Sequence, residues 1–406
     1  GASPVACGAL MRWSGRTSFE LAENRLAEVY RRARLRAGHE LVDLTVSNPT
    51  RVGLVEPSRL PALVGASGAE RYLPEAFGLA SAREAVARYH AARGEPTDPA
   101  RVVLSASSSE AYAWIFKLLG DPGDRVLVPH PSYPLFDYLA RLEALEVGSF
   151  PLARFDGFRV ELGALEAAID ERTRAVVLVS PNNPTGSFLR ADEARAIFEL
   201  AAERGLAVIV DEVFRDSPLE APPVAERVSF ASDPPALCFV LGGLSKALCA
   251  PQLKLGWTRV LGPEKLVREA LHRLEIVADT YLSVATPVQL ALPALLERAP
   301  RVQAELSARL SENLAALDAL LALRPDSPVR RLRVEGGWTV LLELPRFLDE
   351  DAWIERLAEE AQALFAPGWF FDLHEGGTLV ASLIAEPAGF ARAMARALDT
   401  IERACR

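Results

Sequence analysis

A mostly parallel α/β sheet accompanied by a smaller α+β unit is the fold that the sequence predicts, and three features predict it. Between residues 100 and 260 short apolar runs alternate with amphipathic stretches, the pattern of strands and covering helices. Several of the runs are almost continuous Val, Leu and Ile, as in strands buried on both faces. After residue 287 the alternation gives way to a long helical pattern with isolated strands. The strand candidates are RVVLS (101–105), RVLVP (125–129), AVVLVS (175–180), LAVIV (206–210), LCFVLG (237–242) and LGWTRVL (255–261). Helices fit between them. SEAYAWIFKLLG (109–120) ends on Gly120 and ADEARAIFELAAERG (191–205) ends on Gly205, each glycine standing where a helix stops. The second unit reads as a helix to about residue 323, a strand in EGGWTVLLELP, a helix over 350–364 and a strand in VASLIAE. The division predicted is a large domain over 41–286 and a small one from 1–40 and 287–406.

The 406 residues, half of them hydrophobic, suit two such domains better than one simple core. A formal net charge of -9 opposes nucleic acid or an anionic membrane as the main partner, since both attract a positive surface. A small molecule is the expected partner. Cys7, Cys238, Cys249 and Cys405 are widely spaced and form no CxxC pair, which disfavours a zinc knuckle or a secreted disulfide framework. The first residues lack a signal-peptide pattern, and no apolar run reaches the ~18 residues of a membrane span. A soluble, cytoplasmic protein is expected. His39, His90, His130, His272 and His374 show no metal spacing, and neither a GxxxxGK(S/T) loop nor GxGxxG occurs, so no metal or dinucleotide site is expected.

Ligands of open α/β sheets bind beyond the carboxyl ends of the strands. Those ends are unusually polar here: SASSSEA closes the first run, and HPSYP, PNNPTG, DEVF and GLSK follow the next, third, fourth and fifth. Each alone has a plain structural reading, a helix cap for SASSSE, a turn for NNPTG, an N-cap for Asp211. Five at consecutive strand ends point to one site.

With SNPT (47–50), RYLPEAFGLASAREAVARYH (71–90), PHPSYPLF (129–136), SPNNPTG (180–186), DEVF (211–214), SKALCAPQLKLGW (245–257) and APGWFF (366–371), nearly the whole chain resembles the class I and II aminotransferases of pyridoxal 5′-phosphate (PLP) fold type I. The resemblance implies a large, mostly parallel, seven-stranded sheet domain, and PLP as cofactor. It implies that Lys246 forms the Schiff base and moves a proton, which needs an amine neutral near pH 7. It makes Asp211 the partner of the pyridinium nitrogen, Asn183 the donor to the ring 3-oxygen and Tyr133 the stacked ring. Ser108, Ser109, Ser245 and Lys254 would hold the phosphate, with Tyr72 reaching in from a second subunit of a homodimer.

The chain departs from the family pattern at four places. Lys254 stands where arginine is usual, so a point charge replaces a bidentate fork, and Gly243 stands where many relatives have serine. Phe214 replaces a tyrosine whose hydroxyl also reaches the 3-oxygen, and Val380 fills the position of the arginine for the substrate α-carboxylate. Arg51, directly after SNPT, is the candidate to replace that arginine, against a plain reading as a solvent-facing loop residue. The implied activity is exchange of an amino group between an amino acid and a 2-oxo acid. Fold alone also permits β- or γ-elimination, cyclisation or oxidation on the same cofactor. A PLP-sensing regulator is the remaining alternative, and it is not expected, since such regulators carry an added DNA-binding module and only about 40 residues stand before SNPT.

Overall fold

In the computed structural model, residues 13–19, 25–65, 69–72, 74–373 and 376–406 are described. Cys7 and His374 lie outside them. The large sheet contains β1 (Val102–Ser105), β2 (Arg125–His130), β3 (Glu146–Ala153), β4 (Arg159–Val160), β5 (Thr173–Val179), β6 (Ala207–Asp211), β7 (Cys238–Gly243) and β8 (Gly256–Leu261), ordered β1-β8-β7-β6-β5-β2-β3-β4. From β7 through β6, β5 and β2 to β3 every pairing is parallel. β8 runs antiparallel between β7 and β1. The expected seven strands are therefore present, and two-residue β4 extends the edge by an antiparallel pairing with β3.

The central strands are apolar on both faces because both are covered. Val176, Val208, Val210 and Val240 belong to one buried cluster, while Val177, Ile209, Phe239 and Leu241 belong to another. Burial of each such side chain stabilises the fold by about 1.5–3 kcal/mol, so alternate residues of one strand hold opposite layers of helices. β3, EVGSFPLA, was not among the strand candidates. Its burial alternates irregularly, as befits a strand near a sheet edge.

Of the helices, α1 (Arg25–Ala37), α2 (Ala80–Ala91), α3 (Ser108–Leu119) and α4 (Ala191–Arg204) precede the change of pattern. The helical run expected over 287–323 is two helices, α5 (Thr286–Glu297), which carries Pro293 inside it, and α6 (Ala299–Ala322), with Pro300 in its first turn, where the fixed φ suits a helix start. The helix expected over 350–364 is shorter. α7 (Glu350–Arg356) passes into a π turn, Gln362 adopts a left-handed conformation (φ 53°), and Ala363–Leu364 pair in parallel with Val42–Asp43. Arg396 donates to Gln362 Oε1 at 2.6 Å and fixes that turn. An antiparallel sheet follows, β9 (Arg330–Arg331), β10 (Thr339–Glu343), β11 (Ala366–Pro367) and β12 (Thr378–Ser382), ordered β9-β10-β12-β11. β12 holds only the first three residues of VASLIAE. Helix α1 packs on this unit: Arg25 meets Glu355 at 2.6 Å and the Tyr30 hydroxyl donates to the Phe365 carbonyl at 2.7 Å.

One apolar cluster joins Leu244, Leu248 and Trp257 to Trp338, Val340 and Leu379. The segment carrying Lys246 is thereby wedged between the large and small sheets.

Candidate active site

β7 and β8 are antiparallel neighbours, and the loop between them, residues 244–255, is closed at its base by the Leu244 amide donating to the Leu255 carbonyl at 3.0 Å. A single short helix, Leu244–Ala247, presents Lys246. Its ammonium nitrogen sits 4.4 Å from the centre of the Trp338 ring and 5.2 Å from that of Phe214, and these rings meet edge to face at 5.4 Å. Aromatic faces favour the cation, and so does the charge of Asp211, yet burial prevails and lowers the Lys246 pKa to about 8. About a tenth of such an amine is neutral at pH 7, against well under a thousandth for an ordinary lysine.

Asp211 ends β6, one strand away. Its carboxylate is buried (8% exposed), accepts from the Val213 amide at 3.0 Å and from the Tyr112 hydroxyl at 3.2 Å, and feels the charge of Lys246. Burial wins over these partners and raises its pKa to about 6. The linkage has a definite sign. A carboxyl group whose folded pKa lies above its unfolded value of 3.8 costs stability once ionised: the cost is complete above about pH 6 and absent below the unfolded value. Asp211→Asn in cofactor-free protein should therefore raise stability by up to about 3 kcal/mol at pH 8, a gain that disappears toward pH 4. Urea unfolding at both pH values measures it, and an equal change at both would show that Asp211 is not held this way.

The start of α3 lies at the same end of the sheet. Ser107 is its N-cap and accepts from the Glu110 amide at 3.2 Å, leaving Ser108 and Ser109 in the first turn. Ser105 pairs across to Gly256, which pairs across to Gly243. A Cβ on Gly256 would lie 3.3 Å from the Ser108 nitrogen, and one on Gly243 would lie 3.1 Å from the Gly256 Cα. The two glycines let α3 and the Ser245–Lys246 segment approach across β8. They also give Gly243 a reason to be glycine, since a serine there would push on the β8 backbone. Ser245 is half-buried, whereas Lys254 is exposed in a left-handed conformation (φ 51°) at the end of the loop.

Asn183 is partly buried in the loop after β5. That loop packs backbone to backbone on the one leading into β10: a Cβ on Gly186, which has φ +72°, would lie 2.5 Å from the Gly336 carbonyl oxygen, and a Cβ on Gly336 would lie 2.9 Å from Pro181. Thr339 adds a hydroxyl bond to the Pro184 carbonyl at 2.9 Å. This docking carries Trp338 over Lys246. The indole N–H of Trp338 donates to Ser217 Oγ at 3.0 Å, which fixes its ring.

Tyr133 and Tyr72 are exposed in the single chain, 44% and 73% respectively. Arg51 ends a turn capped by Asn48 and is exposed. Val380 is buried in an apolar cluster that also holds Leu341 and Phe371, so its place on β12 contributes packing and no charge. Trp338 and Tyr112 were missed in the sequence. GGW before a strand was the available signal for the first; Tyr112 has none, since an aromatic residue at helical spacing reads as core.

Behind Asp211 lies a buried ionic cluster. Arg259, on β8, has no exposed surface and meets Glu95 at 2.9 Å and Glu212 at 3.2 Å, while Arg215 meets Glu95 at 2.6 Å. Burial opposes ionisation of Glu95, but the nearby His90 ring, the hydrogen bonds from Arg215 and the charge of Arg259 hold it well below the usual carboxylate range. His90 accepts from the Trp257 indole at 3.1 Å, and burial with the charge of Arg259 lowers its pKa to about 3, so it stays neutral. The cluster anchors the turn after Asp211. Among the described residues no group of His, Cys, Asp or Glu could hold a metal, and no helix is long and apolar enough to cross a membrane.

The sequence profile of aminotransferase class I and II matches residues 42–377, and the chain belongs to that family. It is 28% identical over 317 residues to nicotianamine aminotransferase 1 of Oryza sativa subsp. japonica, covering 74% of this chain and 62% of that one. It is 32% identical over 231 residues to an S-alkyl-thiohydroximate lyase of Arabidopsis thaliana, covering 55% of this chain and 49% of the other. The chain thus spans about half to three-fifths of the length of these curated relatives. An alanine aminotransferase structure from Pyrococcus furiosus superposes with a TM-score of 0.85 at 23% identity, covering 97% of this chain and 100% of that one, which shows the fold.

Proposed function

We propose that the chain is a PLP-dependent aminotransferase that moves an amino group between an amino acid and a 2-oxo acid. The observation that carries this reading is a half-buried lysine of lowered pKa, roofed by Trp338 and Phe214, beside a buried carboxylate at the end of the next parallel strand. The donor set fits the cofactor: an amine for its aldehyde, a carboxylate for its ring nitrogen, an amide at Asn183 for its ring oxygen, and a helix start with hydroxyls for its phosphate. Ser108, Ser109, Ser245 and Lys254 are the residues we assign to the phosphate, and Tyr133 to the ring face. When bound, PLP supplies an aldehyde and an electron-accepting ring.

The side chains of the protein supply the rest. Lys246, partly neutral at pH 7, takes the proton from the substrate Cα and returns it elsewhere; Asp211 keeps the ring nitrogen protonated. Trp338 and Phe214 exclude water around the lysine, which keeps its amine from being fully charged. A homodimer, with Tyr72 reaching the neighbouring site, and a cytoplasmic setting belong to the same reading. So do a large domain over 41–286 and a small one formed by 1–40 and 287–406.

With Val380 at the position where an arginine is usual, the substrate carboxylate needs another cation, because an unpaired buried charge costs several kcal/mol. We assign Arg51. Arg51→Ala is expected to raise KM for the best amino acid donor about 10- to 100-fold, roughly 1.5–3 kcal/mol, with kcat and cofactor absorbance little changed. An unchanged KM would remove Arg51 from the site.

The test of the cofactor assignment is chemical. Protein incubated with PLP, reduced with borohydride and digested should carry the added mass on the peptide holding Lys246; label on other lysines alone would overturn the assignment. The likeness to a named lyase keeps a second reading open to test, elimination on the same cofactor, and release of ammonia with the products distinguishes it.

A further inference from the structure

We propose that Tyr112 is a positioning residue that holds Asp211 through its hydroxyl, so that the helix assigned to the cofactor phosphate also sets the carboxylate assigned to the ring nitrogen. The inference rests on the PLP reading above for its consequence, while the contact itself stands independently of it. Tyr112 lies on α3, one turn beyond Ser108 and Ser109, and is 2% exposed. Its ring packs edge to face on Phe136 at 5.2 Å and against Phe116 at 5.7 Å. In such a setting leucine or phenylalanine would fill the space, and a buried hydroxyl costs free energy unless it finds a partner. It finds Asp211 Oδ2 at 3.2 Å.

The geometry gives the carboxylate two fixed donors from two elements. Val213 supplies its amide to Oδ1 from the turn after β6, and Tyr112 supplies its hydroxyl to Oδ2 from α3. Two donors on opposite oxygens fix the plane of the carboxylate and leave each oxygen one further lone pair. Burial keeps the Tyr112 phenol protonated, since its pKa lies well above the ordinary value, so it acts as donor at every working pH. Lys246 is the other charged group that Asp211 feels. Glu212, next in sequence, is engaged instead with Arg215 and Arg259. A donor to the ionised form lowers a carboxyl pKa, so Tyr112 opposes the burial that raises it.

A shared element has a consequence for function. Small displacements of α3 caused by phosphate binding are carried one helical turn to the carboxylate, because both contacts sit on one rigid helix.

Tyr112→Phe keeps the ring and removes the hydroxyl. In cofactor-free protein with 13C-labelled aspartate, the Asp211 carboxyl, which titrates about pH 6 in the parent, should titrate about one pH unit higher in the variant. In cofactor-loaded protein the acid limb of the kcat profile should move up with it, while KM for the amino donor is unchanged. 3-Fluorotyrosine at position 112, a stronger donor, should move the titration the other way. Phe136→Leu disturbs the same packing without touching the carboxylate and should lower the melting temperature without moving the titration. An unmoved titration in Tyr112→Phe and with fluorotyrosine, or an equal shift in Phe136→Leu, overturns the proposal. Because the titration is read without PLP, failure of the cofactor reading leaves this outcome legible.

Discussion

Lys246→Ala is expected to leave a folded protein that still takes up PLP without joining it covalently, and to lower turnover with any amino donor by on the order of a millionfold, about 8 kcal/mol of barrier. Two functions are lost together: the amine that meets the aldehyde, and the base that moves the substrate proton. Of the two titratable groups whose charge the amine feels, Asp211 is assigned to the ring nitrogen, and burial pushes the Cys249 thiol up to about 12, leaving it protonated at neutral pH. Folding should survive, because the truncation removes a charge that the site holds at a cost: burial is the leading influence on the Lys246 pKa. Borohydride-stable label and steady-state rate, measured on the same preparation, check this. A rate close to that of the parent would show that another lysine does the chemistry.

The second large effect belongs to Asp211. Asp211→Ala should weaken PLP binding and slow proton removal from the substrate by several powers of ten, since a ring whose nitrogen loses its proton is a poor electron acceptor. The loss should exceed that of Tyr112→Phe, which retains the carboxylate. The neighbouring carboxylates Glu212 and Glu95 cannot substitute, because they are committed to Arg259 and Arg215 in the ionic cluster. A rate within about tenfold of the parent would mean that a different carboxylate faces the ring.

Much of this site was legible before any coordinates. β5, β6 and β7 are covered on both faces, and that requirement writes itself as unbroken Val, Leu and Ile. Ligands of such sheets bind beyond the carboxyl ends of the strands, and the residues there make Lys246, Asp211 and Asn183 the candidates. β3 escaped because a strand near a sheet edge needs no continuous apolar run, and the break at Arg298 escaped because Pro300 sits where a helix tolerates it. The roof over the lysine could not be read at all. Trp338 is more than ninety positions away in sequence, and only the close approach of Gly186 and Gly336 brings it over Lys246. Tyr112 and the Glu95–Arg259 pair were hidden for a related reason: an aromatic on a helix reads as core and a lone arginine as surface until their partners are known.

The central claim is that the amino group of a donor amino acid remains with the enzyme and passes to a 2-oxo acid. The measurement that bears on it most directly is a single turnover: PLP-loaded protein mixed with stoichiometric 15N-labelled amino acid in the absence of an acceptor, with 2-oxo acid and ammonia both quantified. One equivalent of 2-oxo acid per site with no free ammonia, followed by transfer of the 15N to an added 2-oxo acid, is the predicted result. Free ammonia released in step with the oxo acid, and no label reaching the acceptor, would contradict it and place the chain among eliminating enzymes instead.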